Sequence, residues 1–196
     1  MTRHPRGPTL NLVLITTLEL QNEPLIFRET ILPGTIDYAP DTRQVGDLPV
    51  EGKADLLEEH RGPQELVEDI RVRASFKGDF EVLCARCVEP VAVPLEGEFD
   101  LLFRPENADA EAGERAITED ETEIGYYGKD GLLLEDVVRE QVLLSLPNRT
   151  LCREDCKGLC VHCGQNLNSG SCDCADTTDV DPRWKALEAL AAGIKQ

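Results

Sequence analysis

Eight cysteines, arranged as four close pairs, constrain this chain more than any other feature of its sequence. The pairs are Cys84 and Cys87, Cys152 and Cys156, Cys160 and Cys163, and Cys172 and Cys174. A Cys-x2-Cys turn directs two thiolates towards one point, and Zn²⁺ takes four such ligands in a tetrahedron, so the pairs of a zinc protein come in twos. The sequence therefore predicts that all eight cysteines are metal ligands and that the chain binds two zinc ions.

The grouping of the pairs is less constrained than their number. The most compact arrangement uses the last four cysteines, with Gly164 as the permissive residue of a zinc knuckle. That C-terminal site would consist of Cys160, Cys163, Cys172 and Cys174, and the other site of Cys84, Cys87, Cys152 and Cys156. This division follows from counting, and exchanged partnerships between the pairs stay open.

Iron is the main alternative to zinc. Cys156-x3-Cys160-x2-Cys163 has the spacing with which radical enzymes that use S-adenosylmethionine bind an iron-sulfur cluster, but the sequence after Cys163 is too short for their barrel. An electron-transfer cluster held by four cysteines stays open. Burial of reduced cysteines without metal suits isolated cysteines better than close pairs. Visible absorbance of the purified protein would separate an iron-sulfur or thiol redox protein from a zinc protein.

The sequence does not predict an enzyme. Catalytic zinc keeps one coordination position for water and usually has a histidine or carboxylate ligand, whereas thiolates fill both predicted sites. His4 is near the N-terminus, His60 lies in a polar turn, and His162 lies between two cysteines, where we expect it to point outward. The common metalloprotease, deaminase, hydrolase and nucleotide-binding motifs do not occur.

The chain is strongly acidic, with 38 acidic against 20 basic residues and a formal net charge of −18. This charge repels phosphates, which disfavours binding to DNA or to a membrane surface and favours a basic partner. No apolar stretch approaches the ~20 residues of a membrane-spanning helix, and the N-terminal residues do not resemble a signal peptide. We therefore expect a cytoplasmic protein, in a reducing compartment where metal is a better explanation of the cysteines than disulfides.

Apolar residues occupy every second position in two segments that flank the first cysteine pair. Residues 70–82 and 91–103 are predicted strands of a long antiparallel hairpin, which carries Cys84 and Cys87 near its tip and bends at Gly78. Residues 10–20 and 24–31, rich in Leu, Ile, Thr and Val, also indicate strands, arranged as a second hairpin.

Helical spacing of apolar residues predicts a helix over residues 132–146, ended by Pro147. A second, short helix is predicted from Asp181, with Pro182 at its first position. Between the hairpin and the first helix, residues 105–123 carry eight acidic side chains and little apolar content, which indicates a solvated loop.

Together these elements predict an α+β fold: an antiparallel sheet, with closure into a barrel as one option, one or two helices, and a C-terminal cysteine-rich zinc-binding module. We expect residues 1–149 to form the sheet domain, including the acidic loop near 105–123 and the helix near 132–146. Residues 150–196 are expected to form the zinc-binding module and the C-terminal helix.

The order and spacing of these motifs resemble the YceD-like family, the large ribosomal RNA subunit accumulation proteins of bacteria and plastids. The first matching block is Cys84-Ala-Arg-Cys87 followed by Glu89-Pro90. The second runs from Leu146-Pro147 through Cys152-x3-Cys156-Lys157-Gly158-Leu159-Cys160-x2-Cys163-Gly164-x-Asn166-Leu167-Asn168 and Cys172-x-Cys174 to Asp181-Pro182-Arg183. The match spans residues 65–190 and departs at Val161, where a proline is common.

The resemblance implies a role in ribosome biogenesis, the accumulation of large-subunit (23S) ribosomal RNA by a non-catalytic, zinc-binding assembly or adaptor protein. The implied partner is a precursor of the large ribosomal subunit, contacted through a basic ribosomal protein or local rRNA. The acidic composition favours the protein. A local positive patch for RNA could come from Arg71, Arg73, Arg86, Arg149, Arg153 and Lys157. The rivals are an iron-sulfur or thiol redox protein and a zinc-ribbon nucleic-acid binder.

Overall fold

The computed structural model describes residues 13–60, 66–106, 108 and 124–174. The elements, in chain order, are β1 (Leu14–Ile15), α1 (Thr17–Leu20), β2 (Leu25–Ile31), β3 (Thr42–Gln44), β4 (Leu48–His60), β5 (Leu66–Leu83), β6 (Pro90–Pro105), β7 (Ile124–Tyr127), β8 (Leu132–Leu133) and α2 (Leu134–Ser145). The predicted acidic loop lies almost entirely outside these residues, and the predicted C-terminal helix lies wholly outside them.

The predicted long hairpin is confirmed as β5 and β6. The two strands pair antiparallel from Ile70 opposite Phe103 to Leu83 opposite Pro90. Along β5 the buried side chains alternate with exposed ones, as the period of two predicted. Near Gly78 the partner of β5 changes from β4 to β3, and a Cβ at this glycine would lie 2.7 Å from Leu48 Cδ1. Gly78 therefore admits a core side chain at this crossover, and the bend predicted there stays a prediction.

The sheet is open, and the predicted option of a barrel is wrong. Its strands follow the order β2-β4-β5-β6-β7, with β3 paired to the end of β5. Within the described residues β2 and β7 are the two edges and do not pair with each other. The sheet is also mixed, because β7 runs parallel to β6 while the other pairings in the sheet are antiparallel.

The predicted helix over residues 132–146 is confirmed as α2, slightly shorter at both ends. Its first two predicted residues form β8, which pairs with β1, and the helix begins where the N–H of Leu134 donates to Val13 O at 2.9 Å. Pro147, which has no N–H, follows its end. Buried residues of the helix, including Val138 and Val142, pack into one core with the inner face of the sheet.

The predicted N-terminal hairpin is wrong. Residues 24–31 do form a strand, β2, but it pairs with β4, and β1 pairs with β8. Residues 17–20, predicted as strand, form α1, because Thr16 Oγ1 accepts the N–H of Glu19 and caps the helix. The sequence analysis did not predict strand β4. Two of its inward positions, Gly52 and Ala54, are small, which weakens the apolar alternation that indicates a strand. No helix in the described part of the chain is long and apolar enough to cross a membrane.

Candidate metal centre

The first cysteine pair lies in the turn that joins β5 to β6. The N–H of Val88 donates to Cys84 O at 2.9 Å, and the N–H of Cys84 donates to Glu89 O at 2.8 Å. The backbone N–H groups of Arg86 and Cys87 both donate towards Cys84 Sγ. We call this hydrogen-bonded turn, residues 84–89, the first knuckle.

Residues 160–165 form a second knuckle with the same hydrogen bonds. The N–H of Gly164 donates to Cys160 O at 2.9 Å, and the N–H of Cys160 donates to Gln165 O at 2.8 Å. The N–H groups of His162 and Cys163 again donate towards the sulfur of the first cysteine. The position after the second cysteine is left-handed in both knuckles, with φ of 61° at Val88 and 74° at Gly164.

The first cluster contains the four cysteines Cys84, Cys87, Cys152 and Cys156, whose sulfurs all lie within 4.8 Å of one another. Cys84 Sγ is 3.8 Å from Cys156 Sγ, and Cys87 Sγ is 3.6 Å from Cys152 Sγ. Four sulfurs about 2.3 Å from a tetrahedral metal ion are about 3.8 Å apart. The spacing therefore fits a single tetrahedral ion.

The second cluster contains Cys160, Cys163, Cys172 and Cys174, also within 4.8 Å of one another. It is more exposed than the first cluster. Three cysteines of the first cluster are buried, whereas in the second only Cys160 is buried and Cys163 is exposed. Both clusters consist of free thiols and could hold a metal ion.

Hydrogen bonds between protein groups hold the two halves of the first cluster together. The N–H of Ala85 donates to Thr150 O at 2.9 Å, and the N–H of Leu159 donates to Arg86 O at 3.1 Å. The side chain of Arg86 donates from Nη1 to Cys156 O at 2.7 Å. The segment after α2 is thus fastened to the hairpin tip on both sides of the sulfurs.

Hydrogen bonding sets the protonation of the clusters. Backbone N–H donors lower the pKa of Cys84 to about 6, and those of Cys163 and His162 lower the pKa of Cys160 to about 6. The pKa of Cys152 is raised to about 12 by partial desolvation of its thiol and by the neighbouring sulfurs. Cys84 and Cys160 therefore favour the thiolate form near neutral pH, whereas a metal ion must displace a proton from Cys152.

Asn168 and Arg86 are site residues that the sequence analysis did not identify as contacts of the metal centre. Asn168 Nδ2 donates to Cys156 Sγ at 3.3 Å, and its Oδ1 accepts the N–H of Lys157 at 2.8 Å. Asn166 Nδ2 donates to Glu89 Oε1 at 3.2 Å, which links the second knuckle region to the first. Nothing in the spacing of these asparagines along the sequence indicates a contact with a distant sulfur.

The structure brings the eight cysteines together in the two predicted groups, while their binding of metal remains a prediction. The radical-enzyme spacing is split, since Cys156 belongs to the first cluster and Cys160 and Cys163 to the second. His162 is exposed and belongs to neither group. The first cluster takes two cysteines from each side of the predicted domain boundary at 149/150, and this boundary stays a prediction.

Several members of the predicted positive patch have acidic or backbone partners elsewhere. Arg71 Nη2 is 2.6 Å from a carboxylate oxygen of Asp100, and Arg73 Nη2 is 2.6 Å from one of Asp55, both on the sheet. Arg86 donates inside the first cluster. These three arginines therefore do not form a free basic surface beside the cysteines.

The fold is a mixed open sheet with one four-cysteine cluster at a hairpin tip and a second in the segment after α2. These features define a cysteine-rich protein with two potential metal sites, each with four sulfur ligands and no open ligand position. The family described as large ribosomal RNA subunit accumulation protein YceD matches residues 72–191. The chain belongs to this family.

Curated relatives are mycobacterial. Uncharacterized proteins of Mycobacterium tuberculosis and Mycobacterium bovis are 35% identical to the chain over 105 residues, which are 53% of this chain and 47% of each relative. An uncharacterized protein of Mycobacterium leprae is 27% identical over 135 residues, 68% of this chain and 58% of the relative. The chain thus spans about half the length of the curated relatives it matches. No solved structure matches it with significance.

Proposed function

We propose that the chain binds one zinc ion in each cluster and acts as a non-catalytic factor in the accumulation of large-subunit ribosomal RNA. The observation that carries the structural role of zinc is the closed ligand set. Each cluster supplies four sulfurs to one centre and leaves no position for a water that could be activated. The family description supports the role in ribosome biogenesis.

Iron is the second candidate metal, and the spacing of the sulfurs limits its form. In a [4Fe–4S] cluster each cysteine binds a different iron, and in a [2Fe–2S] cluster the four cysteines bind two irons in pairs, so some cysteine sulfurs lie farther apart than around one ion. All four sulfurs of the first cluster lie within 4.8 Å of one another, which favours a single ion. A mononuclear iron centre is coloured, whereas zinc with its filled d shell is not.

Elemental analysis of the purified chain tests the metal. We expect two zinc ions per chain and no visible absorbance. The double variant Cys172→Ser with Cys174→Ser removes half of the second cluster and should lower the content to one zinc ion, while Asn22→Ala, an exposed position outside both clusters, should retain two. Stoichiometric iron with visible absorbance would replace zinc in the proposal.

For the partner we propose a precursor of the large ribosomal subunit, bound through a basic ribosomal protein or local rRNA. The net charge of −18 favours the protein, because phosphates are repelled and cationic surfaces attracted. The ion pairs of Arg71 and Arg73 on the sheet support the same choice, since they neutralise cations that RNA would otherwise use.

Depletion of the protein from its host tests the biological role. We expect less mature large-subunit rRNA and an accumulation of precursor particles in sucrose gradients, with the tagged protein sedimenting with those particles. Expression of the full chain should restore the profile. An unchanged rRNA profile together with a protein confined to the top of the gradient would reject the role in ribosome assembly, whatever metal the clusters hold.

A further inference from the structure

The segment between the two cysteine pairs of the second cluster makes a direct contact with a sulfur of the first. Asn168 lies between Cys163 and Cys172, and its Nδ2 donates to Cys156 Sγ at 3.3 Å. Its Oδ1 accepts the N–H of Lys157 at 2.8 Å. Both groups of this one side chain are therefore bound to the segment that carries the first cluster.

Further hydrogen bonds hold the same segment in place. The N–H of Leu167 donates to Gly158 O at 2.9 Å, and the N–H of Asn168 donates to Asn166 Oδ1 at 2.9 Å. Asn166 in turn donates to Glu89 in the first knuckle at 3.2 Å. Residues 166–168 thus form a bridge between the clusters rather than a free turn.

The two clusters differ in how the fold supports them. The cysteines of the first come from the hairpin tip and from the segment after α2, which are joined by protein hydrogen bonds and largely buried. The cysteines of the second all lie within residues 160–174, and Cys163 is exposed. A metal ion in the second cluster would therefore be the main link that closes residues 163–172 into a loop.

We infer that the two metal sites are coupled through Asn168, so that an ion in the second cluster helps to retain the ion in the first. This inference rests on the proposed binding of metal to both clusters. An ion in the second cluster restricts the loop that carries Asn168 and so removes the entropy cost of holding its amide against Cys156. Groups that hydrogen-bond to metal ligands typically change metal affinity by about 10–100-fold. By linkage, the ion in the first cluster favours binding to the second by the same factor.

Release of zinc to an excess of a chromogenic chelator measures this coupling. We expect two phases from the full chain, with the fast phase from the exposed second cluster and the slow phase from the first. Cys172→Ser with Cys174→Ser should abolish the fast phase and speed the slow release about tenfold, within the range for groups that contact metal ligands. Asn168→Leu is similar in size and uncharged, removes the donation to sulfur together with the acceptor for the N–H of Lys157, and should speed the slow release by a similar factor.

The combination of these variants separates coupling from independent effects. If Asn168 carries the coupling, adding Asn168→Leu to the double cysteine variant gives no further acceleration. Multiplication of the two effects, or a slow phase that the double cysteine variant leaves unchanged, would overturn the inference. Asn22→Ala serves as the control and should release zinc as the unchanged chain does. Failure of the proposed zinc binding has a different signature, because the unchanged chain would then contain no stoichiometric zinc to release.

Discussion

At the scale of single residues, the two knuckles share their backbone hydrogen bonds but have different residues at the left-handed position. Residue 88 is valine and residue 164 is glycine, yet both have a left-handed φ. A β-branched residue rarely adopts this conformation, and the left-handed region costs an L-residue about 1–2 kcal/mol. The hydrogen bonds within the first knuckle, and those that join it to the segment after α2, must hold the exposed Val88 in place.

Exchange of these residues should have opposite effects. Gly164→Val is expected to weaken zinc binding by the second cluster about tenfold, since 1–2 kcal/mol of strain corresponds to roughly that factor. Val88→Gly is expected to leave stability unchanged or to raise it by up to about 1 kcal/mol, because relief of strain is partly offset by the entropy of glycine. Competition with a chelator measures the zinc affinity of both variants, and urea unfolding measures their stability. Equal weakening by both variants would contradict this explanation of the backbone.

A buried ion pair between Arg104 and Asp69 also makes a contribution to stability that can be measured separately. Arg104 donates from Nε and Nη2 to the carboxylate of Asp69 at 3.1 and 2.9 Å, and both side chains are largely buried. Arg71 makes the corresponding two contacts with Asp100, but both side chains of this pair are exposed. The two arginine–aspartate pairs therefore make the same two contacts at different depths, and Arg104 Nη2 also donates to Glu59 Oε2 at 2.8 Å.

Arg104→Met should destabilise the chain by about 3–5 kcal/mol, because it leaves the carboxylate of Asp69 buried without its partner. Arg71→Met should cost at most about 1 kcal/mol, since water solvates Asp100 once the arginine is removed. Urea unfolding of both variants provides the comparison. Similar losses at the two positions would show that burial of the Arg104 pair is not what determines its effect.

At the scale of elements, the close approach of β4 and β5 depends on a glycine. Gly52 lies opposite Ala74, and a Cβ at residue 52 would lie 2.5 Å from Ala74 Cβ and also overlap the carbonyl oxygen of Arg73. Both of these neighbours belong to the central strand of the sheet. The two strands would have to separate locally to admit any side chain at this position.

Gly52→Ala is therefore expected to destabilise the sheet by about 1–3 kcal/mol, the usual cost of forcing an extra group into a packed region. Gly46 is the matched control, because its Cβ would meet nothing within 4 Å and its backbone is not left-handed. Gly46→Ala should be neutral or stabilising by up to about 1 kcal/mol. Thermal unfolding measures both, and a neutral Gly52→Ala would mean that β4 can shift freely.

At the scale of the whole molecule, the first cluster joins parts of the chain that are distant in sequence. It connects the tip of the β5–β6 hairpin to the segment after α2. Few apolar contacts help, since among the residues that the structure describes only Val91, Leu151 and Leu159 pack against its buried cysteines. The sheet and α2 instead share a large apolar core of their own. Metal should consequently matter most at the cysteine end of the molecule.

Removal of metal by a strong chelator should loosen the cysteine end while the sheet stays folded. We expect faster amide hydrogen exchange in residues 84–89 and 150–174, because the thiols no longer share a ligand and the hydrogen bonds between these segments are near the surface. Amides of β4, β5 and β6 should remain protected. Global loss of protection would show that metal supports the entire fold, and no change would show that it supports neither part.

Prediction from the sequence succeeded where a local pattern was strong. The period of two over residues 70–82 and 91–103, the helical spacing before Pro147 and the hairpin tip at Cys84 and Cys87 all correspond to elements of the structure. Prediction failed where the pattern was weak or capping overrode it, as in β4 with its small inward residues and in α1, which Thr16 caps. The short β3 and β7 carry too few residues for a period to show.

The sequence by itself determined which segments form the hairpin and α2 and that the cysteines come in four close pairs, because spacing and periodicity are local properties that the backbone geometry translates directly into structure. Only the tertiary structure decided how these pairs divide into two clusters, that β1 pairs with β8, that β2 pairs with β4, that the sheet stays open, and that Asn168 reaches Cys156. These contacts join residues far apart in the chain or in different turns. Their choice depends on how the whole core packs, which no short stretch of sequence encodes.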